Sequence, residues 1–172
     1  FEDLRLIGWR GELWCAATAR EFTVHGWYEM VLARIALGDD GTAVLTDWRV
    51  LGTDGERRHE KNWMPRIKAS RLEFIYSSDP TRIVDDRGQT ISETVPDAAL
   101  DNLRGGTQAI AFEDGWLAMT HEVVLIDGKR VYLHRFVWYD ADDHVRRITE
   151  PFVFTGRGLA LAGGLGWRGE ET

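Results

Sequence analysis

Side chains capable of chemistry gather in four short segments of this chain, each at the start or the end of a predicted β-strand. The first segment holds Glu2, Asp3 and Arg5, just ahead of an apolar strand. Two adjacent carboxylates and an arginine can supply a proton donor and a group that orients it. A charged loop before a strand is the structural alternative.

The second segment contains Lys61, Asn62 and Trp63. Lysine and asparagine can donate hydrogen bonds to sugar hydroxyls or to an anion, and a tryptophan can stack on a pyranose ring. The alternative is a polar connection whose Trp63 belongs to the core. Pro65 indicates a rigid turn here rather than a central strand.

The third segment places Arg104 before the glycine pair Gly105 and Gly106, with Gln108 close behind. Paired glycines let backbone N–H groups approach a ligand, and an arginine can hold an anion. The GK[ST] ending of a P-loop is absent, so a nucleotide site is not indicated. A flexible turn explains the same residues.

The fourth segment pairs His121 and Glu122 with Tyr132, His134 and Arg135 on the next predicted strand. An Asp-Gly turn between the two strands predicts a hairpin that brings all five side chains together. A lone histidine is usually structural, but this concentration of polar groups makes a binding or catalytic role equally tenable.

The elements that must position these groups recur along the chain as a turn, an apolar-alternating strand and a polar residue. The polar residues are Thr18, Ser77 and His121. Strand-rich repeats of roughly 40–50 residues are typical of β-propellers. We therefore expect an all-β chain of three four-stranded antiparallel blades, whose inner strands end at one channel, with His121 ending the inner strand of its blade. The blades are placed at residues 1–52, 56–104 and 105–160.

Three blades do not close a propeller, since natural ones carry roughly four to eight. Residues 163–167 read as the start of a further strand, and the first residue is not methionine. We therefore expect additional blades from the same polypeptide or from a second copy in a homo-oligomer, which would also cover exposed strand edges.

Composition excludes several classes of function. The chain has 172 residues, enough for one domain with a core, and a net charge of −7, which argues against a nucleic-acid partner. No apolar run approaches the ~18 residues of a membrane span. The acidic pairs at 39–40 and 142–143 are predicted to be solvated turns.

The inventory of reactive residues indicates no cofactor. The single cysteine leaves no disulfide framework and fits a reducing cytoplasm. The five histidines lack metal-ligand spacing such as HExxH, so a metal is not expected. A GxSxG elbow is absent, and the GxGxxG pattern at residues 164–169 does not join a predicted strand to a predicted helix, so a dinucleotide site is not indicated.

Taken together, the four segments resemble the five-bladed β-propeller enzymes of glycoside hydrolase family 130, which include mannoside phosphorylases and mannosidases. The matching segments are 2–5 (Glu-Asp-Leu-Arg), 11–14 (Gly-Glu-Leu-Trp) and 115–122 (Gly-Trp-Leu-Ala-Met-Thr-His-Glu). Segments 60–65, 132–136 and 149–154 are similar to a bacterial subgroup associated with or fused to glycosyltransferases.

The resemblance implies roles for individual residues. Asp3 would be the general acid that protonates the glycosidic oxygen, with Glu2 as its neighbouring carboxylate and Arg5 orienting it or the sugar. Phosphate would be held by Arg104, His121 and Tyr132, three donors suited to an anion. The remaining residues expected to bind a carbohydrate or glycoside are Lys61, Asn62, Trp63, Gln108, Glu122, His134 and Arg135.

Departures from the family pattern leave the reaction open. Residues 77–80 read Ser-Ser-Asp-Pro where the phosphorylases carry His-Arg-Pro, so a phosphate-binding arginine is lost and Asp79 would repel the anion. Leu4 replaces a proline and Glu122 replaces a glycine. Inverting hydrolysis is favoured over phosphorolysis, with the second carboxylate supplied by Glu122 or by further blades. The alternative functions are a catalytically silent carbohydrate-recognition module attached to a glycosyltransferase and a scaffold for protein partners.

Overall fold

The computed structural model describes residues 1–20, 26–52, 58–97, 99–100, 102–154 and 159–168. Within these ranges the chain is all-β, with thirteen strands in three antiparallel sheets and no helix. No helix long and apolar enough to span a membrane is therefore found in the described ranges. The predicted all-β class and four-stranded antiparallel units are confirmed, whereas closure into a propeller stays a prediction.

The first sheet is a simple meander of four strands, β1 to β4 in that order. Its strands are β1 (Glu2–Trp9), β2 (Glu12–Ala19), β3 (Glu29–Leu37) and β4 (Ala43–Val50). Burial alternates strictly along the second half of β1, as expected for a strand with one face on the core. Gly11 and Gly41 provide the positive φ angles that the two tight turns require.

The second sheet repeats the same meander over residues 64–94. Its strands are β5 (Met64–Lys68), β6 (Arg71–Ser78), β7 (Thr81–Asp85) and β8 (Thr90–Thr94). Pro65 lies within β5, so the expectation of a rigid turn at this proline is wrong. The proline is tolerated because β5 is an edge strand, where a missing N–H does not interrupt the interior of the sheet.

The third sheet contains a four-strand meander and one short additional strand. Its strands are β9 (Arg104–Gly105), β10 (Ile110–Phe112), β11 (Gly115–Ile126), β12 (Lys129–Tyr139) and β13 (Val145–Ile148). The order is β10-β11-β12-β13, and β9 pairs with β11. Asp127 and Gly128 both have positive φ at the β11–β12 turn, so the predicted Asp-Gly hairpin is confirmed.

Two apolar clusters hold the three sheets together. The first joins Ile7, Trp9 and Leu32 of the first sheet to Phe74 and Val84 of the second. The second joins the opposite face of the second sheet to the third sheet, with members Met64, Ile75, Ile83, Ala109, Ala118, Val137 and Tyr139. The second sheet is thus packed on both faces, as the middle layer of three.

A buried ion-pair network also links the second and third sheets. Arg66 of β5 is completely buried and contacts Glu73 at 2.8 Å and Asp143 at 2.6 Å. The prediction that residues 142–143 are merely solvated is therefore wrong for Asp143, which is only 4% exposed. Each charge of this pair compensates the other, because an unpaired carboxylate or guanidinium is strongly disfavoured in an apolar interior.

The three repeated polar residues occupy equivalent strands, though not at the predicted place. Thr18, Ser77 and His121 lie in β2, β6 and β11, which are second in their sheets. His121 does not end its strand, because β11 continues to Ile126. The first strands of the meanders are β1, β5 and β10.

The predicted strand at residues 163–167 is also wrong, since the described segment 159–168 contains no strand. Leu165 instead exchanges hydrogen bonds with the side chain of Gln108. The Trp167 indole stacks on Phe112, with ring centroids 5.7 Å apart. Side-chain contacts rather than a sheet ladder fix this segment to the third sheet.

Candidate functional site

The starts of the three sheets meet at one place, which we call the strand junction: Asp3, Arg5, Asn62, Arg104 and Gly105. Strand β9 lies so close to the residue before Trp63 that a Cβ added to Gly105 would collide with the Asn62 carbonyl oxygen. Only glycine permits this approach of two backbones. Residues remote in sequence, from the first, second and third segments, are thereby brought together.

Arg5 ties the junction together from within. Its side chain is 1% exposed, and it donates to the carbonyl oxygens of Gly106 at 2.6 Å, Asp3 at 2.7 Å and Gly105 at 3.4 Å. Burial lowers the pKa of this guanidinium, and the charge of Asp3 opposes the shift. Arg5 therefore holds the backbone of Asp3 and of the glycine pair, and it presents no open face to a sugar.

Asp3 and Asn62 both adopt backbone conformations that L-residues rarely use. Their φ angles are +54° and +63°. Asp3 lies where the β1–β2 register shifts between Glu2 and Arg5. Left-handed conformations of non-glycine residues cost on the order of 1–3 kcal/mol and cluster at functional sites. Two predicted site residues are thus held in strained positions at the same junction.

Glu2 and Lys61 bridge the first two segments at the surface. The Lys61 ammonium lies 3.7 Å from a Glu2 carboxylate oxygen and 3.3 Å above the ring of Tyr28. Glu2 is exposed, so the ion pair is weak and can be exchanged for a ligand. This contact joins the first segment to Lys61 of the second segment.

His121 faces the junction from β11, where it pairs with Arg104 of β9 and His134 of β12. The imidazole is 3% exposed and stacks on Tyr132 with ring centroids 4.7 Å apart. Burial, and then the charges of His134, Arg104 and Arg5, lower the pKa of His121 to about 4. At neutral pH it is therefore an uncharged imidazole, and it contacts an anion without a full positive charge.

His134 is the second buried histidine of the third sheet, with 1% exposure. Burial lowers its pKa, and a hydrogen bond to the backbone of Ala160 opposes that shift. Its ring packs against Phe154 at a centroid distance of 4.7 Å. Nδ1 of His121 and Nε2 of His134 have no hydrogen-bond partner in the described part of the chain.

A cavity of about 390 Å³ opens beside the junction, between the second and third sheets. We call it the junction cavity; its lining residues are His59, Glu60, Lys61, Asn62, Met64, Tyr76, Ser77, Ser78, Leu103, Arg104 and Gly105. The lining offers ammonium, guanidinium, amide and hydroxyl donors. Such a combination suits a small polar ligand with several oxygens.

Glu60 is a cavity residue that sequence reasoning left without a role. Its side chain is 8% exposed and accepts hydrogen bonds from Trp63 Nε1, Tyr76 Oη and Arg58 Nε, each at 3.2 Å. Burial and the neighbouring Glu60 charge raise the pKa of Tyr76 to about 12, so this phenol remains a donor. The sequence signal for Glu60 was its position three residues before Trp63. No sequence pattern connects Glu60 with Tyr76.

Trp63 belongs to the core. It is 0% exposed and packs against Phe74 and Tyr76 in edge-on contacts, with centroid distances of 5.6 and 5.2 Å. The sugar-stacking role expected for this indole is incompatible with its burial, and the structural alternative describes it. An aromatic ring needs a free face to stack on a pyranose.

Glu122 and Arg135 lie away from the junction, although they adjoin His121 and His134 in sequence. Successive side chains of a strand point to opposite faces, so the hairpin divides the predicted cluster. Glu122 and Arg135 pair with each other at 3.0 Å and line a separate cavity of about 340 Å³. The expectation of one five-residue cluster on this hairpin is wrong.

The remaining predicted residues fall into two groups. Tyr132 joins the junction through its stacking on His121, and Arg104 makes no side-chain hydrogen bond or ion pair with any described residue. Gln108 is occupied by both of its bonds to Leu165, at 2.6 and 3.2 Å. Asp79 accepts a hydrogen bond from the Leu100 N–H at 2.8 Å and is not among the cavity residues.

In the part of the chain that the structure describes, no three His, Cys, Asp or Glu side chains lie close enough together to hold a metal ion. Comparison with known proteins does not assign the site. No family model matches the chain, and no curated protein matches it.

Proposed function

We propose that this protein binds a glycoside in the junction cavity and cleaves its glycosidic bond by inverting hydrolysis, with Asp3 as the proton donor. The observation that carries the proposal is the polar lining of this cavity, which includes Lys61, Asn62 and Arg104, together with the ion pair between Lys61 and Glu2, the residue before Asp3. We also propose that the three sheets are consecutive blades of a β-propeller of the glycoside hydrolase family 130 type. The repeated meanders and their face-to-face apolar contacts support that architecture.

The chemistry of the cavity fits a carbohydrate. Sugars present many hydroxyl groups, which accept hydrogen bonds from ammonium, amide and hydroxyl donors such as Lys61, Asn62 and Ser77. Asp3 is half-buried, it follows the Glu2 that pairs with the cavity residue Lys61, and its carbonyl oxygen accepts a hydrogen bond from Arg5. A positioned carboxyl group next to a bound glycosidic oxygen is the basic requirement for general acid catalysis.

Hydrolysis is favoured over phosphorolysis because few charges are available for phosphate. Of the three residues expected to bind phosphate, His121 is uncharged at neutral pH, Tyr132 offers a hydroxyl group, and Arg104 offers a guanidinium. A dianion in a partly buried site needs several charge-assisted donors. A water molecule that attacks the anomeric carbon needs no charge-assisted donors to bind.

Carbohydrate recognition without cleavage is the second candidate function. The observation that favours it is the position of Glu122, the carboxylate expected to assist hydrolysis, on the far face of the third sheet. A site with donors and one strained aspartate can bind a sugar without breaking a bond. In that case a glycosyltransferase attached to the module would use the bound chain.

The test is a product assay on the purified protein with a panel of mannosides, with and without phosphate, that separates free sugar from sugar 1-phosphate. We expect free sugar in both conditions. Replacing Asp3 by Asn should lower kcat by about 10²–10⁴-fold, the usual contribution of a general acid. Glu12→Gln, which changes an exposed carboxylate paired with Arg34, is the control and should retain wild-type activity.

Three outcomes would revise the proposal. Unchanged turnover in the Asp3→Asn variant would remove Asp3 from the mechanism. Sugar 1-phosphate formed only with phosphate would establish phosphorolysis. Saturable sugar binding by calorimetry without any product would establish recognition alone.

A further inference from the structure

We propose that Glu60 is the second carboxylate of the site, the general base that activates water for attack on the anomeric carbon. This inference rests on the proposed hydrolytic function and names a residue to which the family resemblance gave no role. Glu60 takes the role that was expected for Glu122, which the fold places on the other face of the third sheet.

The hydrogen bonds of Glu60 fix its carboxylate without saturating it. Among the residues that the structure describes, one oxygen accepts from Arg58 and Tyr76, and the other accepts from the Trp63 indole. An ionised carboxylate has about four acceptor positions. The oxygen bonded to Trp63 therefore retains one acceptor position for a water molecule in the junction cavity that Glu60 lines.

The donors around Glu60 are themselves held in place. Trp63 is buried in the core, and Tyr76 keeps its proton because its pKa is raised to about 12. Arg58 contacts both Glu60 and the Tyr76 hydroxyl group, and it supplies the compensating positive charge. A base that is oriented by a buried indole and a half-buried phenol needs little reorganisation at the moment of reaction.

Glu60 reaches the cavity from a different part of the fold than Asp3. Glu60 precedes β5 and Asp3 lies in β1, and each adjoins one member of the Lys61–Glu2 ion pair. Arg5 links the backbone of Asp3 to Gly105, which in turn lies against Asn62. Inverting enzymes place their two carboxyl groups on opposite sides of the sugar, about 6.5–9.5 Å apart, with water between.

The reaction is balanced with water as the only co-reactant. Glu60 takes one proton from water as the water oxygen bonds to the anomeric carbon. Asp3 gives its proton to the glycosidic oxygen, and the bond between that oxygen and the anomeric carbon breaks. The products are a free sugar of inverted configuration and the leaving alcohol, and proton exchange with solvent restores both carboxyl groups.

The charged and titratable groups that face Glu60 come from several elements. Arg58 and Tyr76 donate hydrogen bonds to it, and His59, Lys61 and Arg104 line the same cavity. None of them is a carboxylate, so Glu60 is the one acidic side chain among the described residues that line the junction cavity. No other described residue that lines this cavity offers a water molecule a carboxylate to accept its proton.

The experiment compares two leaving groups in three variants of the protein. The substrates are 4-nitrophenyl β-D-mannoside and an unactivated mannobiose. Because nitrophenolate leaves without protonation, Asp3→Asn should lose much less activity on the aryl mannoside than on mannobiose. Glu60→Gln should lose about 10²–10⁴-fold in kcat on both substrates. Glu12→Gln, an exposed carboxylate paired with Arg34, is the control and should match the wild type.

Azide distinguishes a base from a structural residue. Azide needs no deprotonation, so it should restore turnover of the aryl mannoside in Glu60→Ala and give the glycosyl azide of inverted configuration. The fall in kcat at low pH that reports protonation of the base should disappear in Glu60→Gln. Should these variants unfold, Glu60→Asp keeps the charge and should lower kcat with an unchanged thermal midpoint.

The result that overturns the inference is specific. If Asp3→Asn abolishes cleavage of mannobiose while folded Glu60→Gln keeps wild-type kcat and its acidic limb, the proposed function stands and Glu60 is not the base. An azide-insensitive Glu60→Ala variant leads to the same conclusion. If the wild type cleaves neither substrate, the proposed hydrolysis fails, and the role of Glu60 falls with it.

Discussion

Burial decides the charge of the histidine nearest the junction. His121 is enclosed by Tyr132, His134 and the two arginines of the site, so its protonated form is disfavoured and its pKa falls to about 4. The sequence placed this histidine in the site but assigned it the role of an anion ligand. In the folded protein it is an uncharged ring that packs and can exchange only one hydrogen bond with a ligand at neutral pH.

A depressed histidine pKa makes stability depend on pH. Between about pH 6.5 and 4, His121 binds a proton in the unfolded chain but not in the folded protein. The free energy of unfolding therefore decreases as the pH falls through this window. His121→Phe keeps a ring against Tyr132 and removes the titration. We expect a shallower loss of thermal midpoint between pH 6.5 and 4 in this variant, with His134 causing a residual slope. Identical slopes in both proteins would contradict this account.

Strand periodicity decides which of the predicted residues can act together. Neighbours in sequence on β11 and β12 point to opposite faces, so His121 and His134 join the junction while Glu122 and Arg135 do not. The short strand β9 then completes the site, because its glycine allows contact with Asn62. The element that positions the cavity is thus only two residues long.

Strand β9 can be tested through its glycine. Gly105→Ala adds a Cβ that meets the Asn62 carbonyl oxygen and the Met64 side chain, so β9 and the residue before Trp63 must separate. We expect a loss of about 1–3 kcal/mol in the free energy of unfolding, as for other overpacked sites. Gly8→Ala is the matched control, since nothing lies within 4 Å of its added Cβ. Equal urea midpoints for the two variants would show that the close approach is not needed.

At the scale of the whole molecule, two apolar clusters and one buried ion-pair network hold three similar sheets in series. The network matters for geometry because Arg66 of the second sheet bonds Asp143 in a turn of the third sheet. Removing one partner of a buried pair leaves an uncompensated charge, which is more costly than the pair is favourable.

We therefore expect Asp143→Ala to lower the free energy of unfolding by about 3–5 kcal/mol, measured by urea denaturation. Glu12→Ala removes a carboxylate from an exposed ion pair with Arg34 and should change stability little, because solvent screens surface pairs. A triple replacement, Arg66→Met with Glu73→Leu and Asp143→Leu, should recover part of the loss, since it removes Arg66 together with both of its buried carboxylate partners. If Asp143→Ala changes the free energy of unfolding only slightly, the apolar clusters alone stabilise the contact between the second and third sheets.

The local sequence pattern was sufficient to predict most of the strands and turns. Alternating apolar residues and Gly- or Asp-containing turns predicted the hairpins of the first and third sheets, because period-two burial and positive-φ turns are local properties. It failed at Pro65 and at residues 163–167, where the outcome depended on neighbours in space. An edge position admits the proline, and side-chain contacts replace the expected strand.

The sequence by itself determined the all-β class, the repeated meanders and most of the residues that meet at the junction. Only the tertiary structure decided that Trp63 is buried, that Glu60 lines the cavity, that Asp143 pairs with Arg66 and that Glu122 points away. The physical reason is that strand propensity and turn conformation depend on a few consecutive residues. Burial and proximity arise from contacts between strands that lie far apart in the chain.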